Sequence, residues 1–209
     1  MSHDHTLASL GGTVRKLWPN ETDKFRDHLL RLDAASRRMR FAHAVSNAFV
    51  ADYASRMLSN GAIVFGYFDG ETLVACAELR RIGVTWGDTA EAAFSVEASH
   101  QDRGIATELL GRIIRSARNR SVRHLIMSCL ASNAKMQSVA RRFEAELSFE
   151  AGEVIADIVP EAANPMSVMA EAFEDRVDFF RAVFDLGPKA IAAPQAAASY
   201  DDRITKMAS

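Results

Sequence analysis

The chain has 209 residues, 48% of them hydrophobic and 25% charged, with a net charge of −2. That size suits one globular domain with some terminal excess, and the charge balance gives no general attraction to nucleic acid or to an anionic membrane. Two cysteines without metal-ligand spacing, no apolar run of membrane-spanning length and no signal-peptide pattern set the expectation of a cytoplasmic protein with buried, reduced thiols and no metal.

Residues 1–12, with His3 and His5 in a polar start, read as a flexible terminus. Thr13–Leu17 reads as a short strand ended by Pro19. Asn20 or Thr22 can cap the helix that follows, with Phe25, Leu29, Leu30 and Leu32 on its apolar side. "DAASRRMRF" reads as a turn and a short helix. A further helix is expected from about Ser46 to Leu58, with Phe49, Val50, Tyr53 and Met57 at three- and four-residue spacing, and Asn60-Gly61 breaks it. "AIVFGYF" and "TLVACAELRRI" flank Asp69-Gly70, a hairpin signal.

After a reversal from Gly83 to Asp88 that carries Trp86, the strand Thr89–Ser99 completes an antiparallel meander. A helix starts near Gly104 and leads to the strand "HLIMSCL". Two strands joined through a helix are usually parallel. Asn133–Ala145 reads as another helix, and "LSFEAGEVIADIV" as a closing hairpin turning at Ala151-Gly152. Ser167–Leu186 carries Phe173, Val177, Phe180 and Phe184 on one helical stripe, expected to dock on its own domain, with a dimer contact as the alternative. From Pro188 the chain is Ala-rich with two prolines and reads as a loosely held tail. The fold class is therefore α/β (α+β): a mixed, mostly antiparallel sheet of roughly six to seven strands flanked by helices, with an extra C-terminal helix. The expected division is a core domain over 13–160, a helical extension over 161–187 and a tail over 188–209.

The chemistry concentrates between Ala90 and Arg118, "AEAAFSVEASHQDRGIATELLGRIIRSAR". A strand, a glycine turn and a helix N-terminus make an anion site, because the first amides of a helix have no internal partners and its dipole favours negative charge. Phosphate is the natural ligand. The basic stretches "RSARNRSVRH" and "SRRMR" read as solvated helix ends, although Arg115 and Arg118 could also screen phosphates. Glu91, Ala93 and Ser95 share one strand face, so a carboxylate stands beside small residues that leave room for a substrate. Read from these residues alone, a solvated strand-end charge is the slightly favoured reading of Glu91 over a base.

Gln101, Arg103, Gly104 and Ala106 fit the pattern Gln/Arg-x-x-Gly-x-Gly/Ala at a strand-to-helix junction, with Ala where Gly is commoner. This resembles the acyl-CoA-binding signature of the GNAT superfamily of N-acetyltransferases. The resemblance implies acetyl-CoA as co-substrate, with no metal. It also implies that the strand before the turn and the strand after the helix splay apart around the pantetheine arm. The backbone of Val96 and Ala98 would pair with pantetheine, and the N–H at or near Val96 would face the thioester oxygen. Gln101, Asp102, Arg103, Gly104, Ile105, Ala106 and Thr107 would hold the pyrophosphate, and Asn133 would lie near the pantetheine arm. His100 and Asp102 depart from the aromatic residue and the glycine common there, and Asp102 sets a carboxylate near phosphates unless its side chain turns away or caps the helix.

"AEAAFSVEASHQDRGIA", "RLDAASRRMRF" and "SNAKMQSVARRF" further resemble the bacterial protein-lysine acetyltransferase branch, in which a glutamate at the position of Glu91 is taken as the general base. Glu78 is the fallback. Many relatives place a tyrosine acid seven residues after the asparagine that opens the fourth helix, and counting from Asn133 reaches Ala140. Tyr53, Tyr67 and Tyr200 lie elsewhere, and Cys129 reads as a buried structural thiol rather than an acyl carrier. The expected function is acetyl transfer from acetyl-CoA to an amine by direct attack, the acceptor being a protein lysine. A small-molecule amine acetyltransferase and a non-catalytic acyl-CoA-binding regulatory module are the alternatives. Nucleic acid and membrane are not expected partners, and monomer and homodimer both stay open.

Overall fold

The computed structural model describes residues 11–184, so His3, His5, Tyr200 and the tail from Pro188 lie outside the described residues. Seven strands form one sheet in the order β1-β2-β3-β4-β5-β7-β6. They are β1 Thr13–Leu17, β2 Ile63–Asp69, β3 Thr72–Arg81, β4 Thr89–Val96, β5 His124–Leu130, β6 Glu146–Glu150 and β7 Glu153–Ile158. Only the β4–β5 pair is parallel, since the helix between these strands returns the chain to the same end of the sheet. The other pairs are antiparallel hairpins or neighbours, two of them turning at Asp69-Gly70 and Ala151-Gly152 as the turn residues predict.

Six helices accompany the sheet among the described residues: α1 Thr22–Arg31, α2 Ala34–Phe41, α3 Asn47–Ser59, α4 Ile105–Arg118, α5 Ala134–Arg141 and α6 Pro165–Phe184. Two cores result, one on each face. Leu109, Leu110 and Ile113 of α4 pack on Phe65, Leu79 and Leu125. On the opposite face Phe25 and Leu29 of α1 and Val50 of α3 pack on Leu17, Val64 and Phe68. Covering on both faces explains why β2 and β3 read as continuous apolar runs. A side chain at Gly66 would put its Cβ 2.4 Å from a methyl of Leu73, so the bare backbone there permits the close packing.

Several boundaries differ from the sequence reading. Neither Asn20 nor Thr22 caps α1. A 3₁₀ turn, Pro19–Glu21, precedes it, and the Thr22 hydroxyl donates back to the Pro19 carbonyl. β4 stops at Val96, and Ala98–His100 forms a second 3₁₀ turn, because His100 N–H bonds back to Glu97. α5 ends at Arg141 rather than Ala145, and Glu144 takes a positive φ of 58° where the chain turns into β6.

The largest departure concerns α6. Phe173 and Phe180 of its aromatic stripe stay largely exposed, at 71% and 56%. The buried side is polar, with Ser167, Glu171 and Asp178 turned inward. Glu171 accepts from Ser116, Asn119 and Arg120, Glu174 pairs with Arg112 and Arg115, and Asp178 accepts from the Lys16 amide. Burial raises the Glu171 carboxyl, but the bonds from Asn119, Ser116 and Arg120 outweigh it and hold the group below its ordinary range. Charge complementarity with α4 selected the docked face.

Candidate active site

β4 and β5 are partners only at Thr89–His124, Ala90–Leu125 and Glu91–Ile126. Beyond Glu91 the two strands part. β4 continues against β3 as far as the Val96–Ala75 pair, while β5 continues against β7. Glu91 therefore stands where the gap opens. Glu97 N–H bonds to the Val74 carbonyl, which fixes the alternation along β4. Glu91, Ala93 and Ser95 turn their backbone groups to β3, and Phe94 and Val96 turn theirs to the gap, with no strand beside them. Backbone donors in such a place call for a partner.

The Glu91 side chain lies directly across from Arg80 in the β3–β4 register, and the two form an ion pair of 2.6 Å through Oε1. Glu91 remains 40% exposed, with Oε2 outside this pair. Arg80 also donates to the Tyr53 hydroxyl at 3.4 Å. Behind it, Tyr53 and Arg40 both bond to Glu78, which is fully buried. Burial and the neighbouring Glu78 carboxylate raise the Tyr53 phenol above its ordinary value. Glu78 thus serves a closed network, and as a base it has no access to an acceptor. The structure removes that fallback and leaves Glu91 as the accessible carboxylate of the pair.

At the far end of the gap the turn delivers the helix N-terminus. Gly104 is the N-cap of α4 at a φ of 83°, a left-handed conformation that costs a glycine little, and no side chain caps the helix. A Cβ at Gly104 would meet nothing within 4 Å, so the turn faces open space. Ile105, Ala106 and Thr107 occupy the first turn of this helix of 14 residues, where amides have no intrahelical acceptor. Arg103 is exposed beside them.

Asp102, the residue that argues most against an anion site, has its carboxylate 2.7 Å from Lys135 Nζ. Lys135 also donates to the Gln101 side chain at 3.2 Å. The charge at Asp102 is thereby matched from α5, across the mouth of the gap. Gln101 uses its side-chain nitrogen on the Val96 carbonyl and on Ser36, bracing the turn against β4 and α2. Ala98 accepts from the Gln101 amide within the 3₁₀ turn. Asn133 follows β5, its N–H bonded to the Leu130 carbonyl, and its side chain caps α5 by accepting from Met136.

One expectation changes. Arg115 is committed to Glu174 of α6 rather than left for phosphates. Cys76 and Cys129 are both buried; burial and, secondarily, Glu78 push the Cys76 thiol up to about 12. Ala140, where a tyrosine acid would stand, is buried. Among the described residues no His, Cys, Asp and Glu side chains gather into a metal site, and no helix is long and apolar enough to cross a membrane.

The residues that sequence reasoning missed are those that hold Glu91 from behind. Arg80 could have been found as its cross-strand partner once the Gly83–Asp88 reversal fixed the register. Arg40 comes from a different helix, and no periodicity connects it to Glu78.

The description "Acetyltransferase (GNAT) family" matches residues 26–144 of the chain, which run from within α1 to just past α5 and include the whole gap. Among solved structures, the GNAT domain of S. lividans PAT is 26% identical, with a TM-score of 0.62 over 71% of this chain and 90% of that one. The yncA protein of Salmonella typhimurium, solved with acetyl-CoA, is 16% identical, with a TM-score of 0.54 over 74% of this chain and 97% of that one. RimL, a ribosomal alpha-N-protein acetyltransferase solved with coenzyme A, is 14% identical, with a TM-score of 0.57 over 72% of this chain and 94% of that one. No curated protein sequence matches the chain.

Proposed function

The chain belongs to the GNAT acetyltransferase family and uses acetyl-CoA to acetylate an amine, and from that premise we propose that the amine is a protein lysine and that Glu91 is the general base. The observation that carries the proposal is the parting of β4 and β5 immediately past Glu91, which sets a half-exposed carboxylate at the head of a gap lined by backbone donors.

The residues present suit the co-substrate. The amides of Ile105, Ala106 and Thr107, with Gly104 and Arg103, would hold the pyrophosphate, and Lys135 offsets Asp102 beside it. The backbone of Phe94 and the N–H of Val96 would pair with the pantetheine arm, with Asn133 at the end of the opposite wall. When bound, acetyl-CoA supplies an acyl carbon activated as a thioester.

A lysine amine, with an ordinary pKa near ~10.4, arrives protonated at neutral pH. Glu91, oriented by Arg80 through Oε1, takes that proton on Oε2 directly or through one water. The Val96 amide, turned into the gap, donates to the acyl oxygen as charge develops on it. No side chain at Ala140 can supply a proton to the departing sulfur, so water does. The lysine assignment draws on the resemblance of 90–106 to the protein-acetylating branch and on the position of Glu91, which a four-carbon stem can reach from outside.

The test is incubation with acetyl-CoA and either lysine-containing peptides or small amines, following thiol release and acetyl-lysine by mass spectrometry. Acetyl-lysine with concurrent thiol release supports the reading. Thiol release confined to small amines would overturn the lysine assignment, and calorimetric binding without any thiol release would make the chain a binding module.

A further inference from the structure

Outside the acceptor network, one buried group has no part in the chemistry above. His28 of α1 has no solvent exposure, and its two ring nitrogens reach the end of β4 and the residue just past it: Nε2 lies 2.9 Å from Ser95 Oγ and Nδ1 lies 3.0 Å from Glu97 Oε1. The spacing is that of a nucleophile, a base and an orienting carboxylate. Yet Ser95 is only 5% exposed, so no acceptor or water arrives at its hydroxyl, and a nucleophilic role is ruled out by access.

The directions of the bonds follow from the partners. Glu97 also accepts from Arg31 at 3.1 Å, and its carboxyl lies below the ordinary range because the bonds from His28 and Arg31 outweigh its burial. A carboxylate only accepts, so Nδ1 carries the hydrogen. Burial lowers His28 and keeps the ring neutral, so Nε2 accepts from the Ser95 hydroxyl. Ser95 Oγ in turn lies 3.2 Å from the protonated thiol of Cys76. Arg31 closes the chain on the Leu73 carbonyl of β3. Every member is satisfied, and the relay joins α1, β3 and β4.

Ser95 and Glu97 flank Val96, and successive residues of a strand face opposite ways. One imidazole thus grips the residues on either side of the amide that faces the gap. We propose that His28 is a positioning residue for the acetyl-donor site, clamping Ser95 and Glu97 so that the Val96 amide stays turned into the gap, where the pantetheine arm of the bound donor would pair with it. This rests on the reading that Val96 serves the acetyl donor.

The experiment compares wild type with His28→Gln, which can keep one of the two bonds but not both. Steady-state KM is measured separately for acetyl-CoA and for the acceptor, with acetyl-CoA binding by calorimetry. The expected result is a rise of about tenfold in KM for acetyl-CoA, the scale of one lost bond to a buried partner, with acceptor KM within about twofold. Ser95→Ala should move the same quantity in the same direction, and the double variant should lose no more than His28→Gln alone. A folded His28→Gln with unchanged acetyl-CoA KM, or one in which both KM values rise together, would overturn the proposal. If His28→Gln does not fold, Ser95→Ala decides by the same split, since it removes only a hydroxyl. Absence of calorimetric binding in wild type would instead sink the functional reading, and the clamp with it.

Discussion

Replacing Glu91 by Gln separates a catalytic carboxylate from a structural one, because the two roles differ in size. The ion pair to Arg80 is partly solvated, with side-chain exposures of 24% and 40%, and such pairs contribute about 0–1 kcal/mol. The carboxamide oxygen can still accept from Arg80, so the melting temperature should fall by no more than about 4 °C. Loss of a general base removes about 10²–10⁴ in rate, or roughly 3–5 kcal/mol at about 1.4 kcal/mol per decade. Turnover should therefore collapse in a protein that remains folded. The pH dependence gives the second criterion. Without a base the variant depends on the fraction of lysine already neutral, so kcat/KM should climb about tenfold per unit between about pH 7 and 10, while wild type flattens earlier. Turnover within about threefold of wild type, with the same pH slope, would refute the assignment.

Three further outcomes follow from the same geometry. Gly104→Ala meets no atom within 4 Å, so its cost is the left-handed backbone alone, about 1–2 kcal/mol, and calorimetry should also show weaker acetyl-CoA binding as the turn shifts. Lys135→Met should weaken acetyl-CoA several-fold by exposing the phosphates to Asp102, and adding Asp102→Gly should restore it; an unchanged dissociation constant in the single variant would show that Asp102 is turned away without help. Glu78→Gln leaves the buried Arg40 without its counter-charge and should cost about 3–5 kcal/mol, measured as a shift in the urea midpoint, before any effect on turnover is interpreted.

The clamp at His28 also predicts how stability responds to acid. The folded pKa of His28 is lowered by burial, so the unfolded chain binds the proton first: the contribution is complete above about pH 6.5 and is lost as pH falls toward the folded value. Glu97, lowered as well, contributes above about pH 4.5 and loses that contribution at lower pH still. Wild type should lose stability to acid below about pH 6.5, and the stability gap between it and His28→Gln should narrow over the same range. Chemical denaturation across that interval checks the sign, and a gap that widened would mean that the ring is charged in the folded state.

Much of this was legible in the residues and some was not, for reasons that differ by level. The turn Gln101–Ala106 was readable because left-handed backbone and free helix amides demand particular residues at fixed spacing, and the hairpins were readable for the same reason. The docked face of α6 was not. Its sequence carries two stripes, Phe173, Val177 and Phe180 on one side and Ser167, Glu171, Glu174 and Asp178 on another, and periodicity reports both without choosing. The choice lies with α4 and its C-cap Asn119: Arg112, Arg115, Ser116 and Asn119 repeat at the matching spacing, and the apolar side of α4 is already spent on the sheet. Reading the two helices together would have found it. The Cys76–Ser95–His28–Glu97 relay offers no such signal, because its members come from three elements and meet only once the sheet has formed.

The same separation of levels explains why the gap exists. Each half of the sheet is complete in itself: β4 is held by β3 through Val96, and β5 by β7 through Leu130. The halves share only Thr89, Ala90 and Glu91 with His124, Leu125 and Ile126. Parting beyond that point sacrifices few hydrogen bonds of either half, which is what lets a sheet hold open an edge that would ordinarily close or aggregate. The groups left over are the backbone of Phe94 and the N–H of Val96 on one wall, and they sit between the sole accessible carboxylate of the network and a helix terminus without a side-chain cap. A ligand that pairs with a strand edge at one end and carries phosphate at the other satisfies both deficits at once, and acetyl-CoA, the co-substrate of this family, has that form.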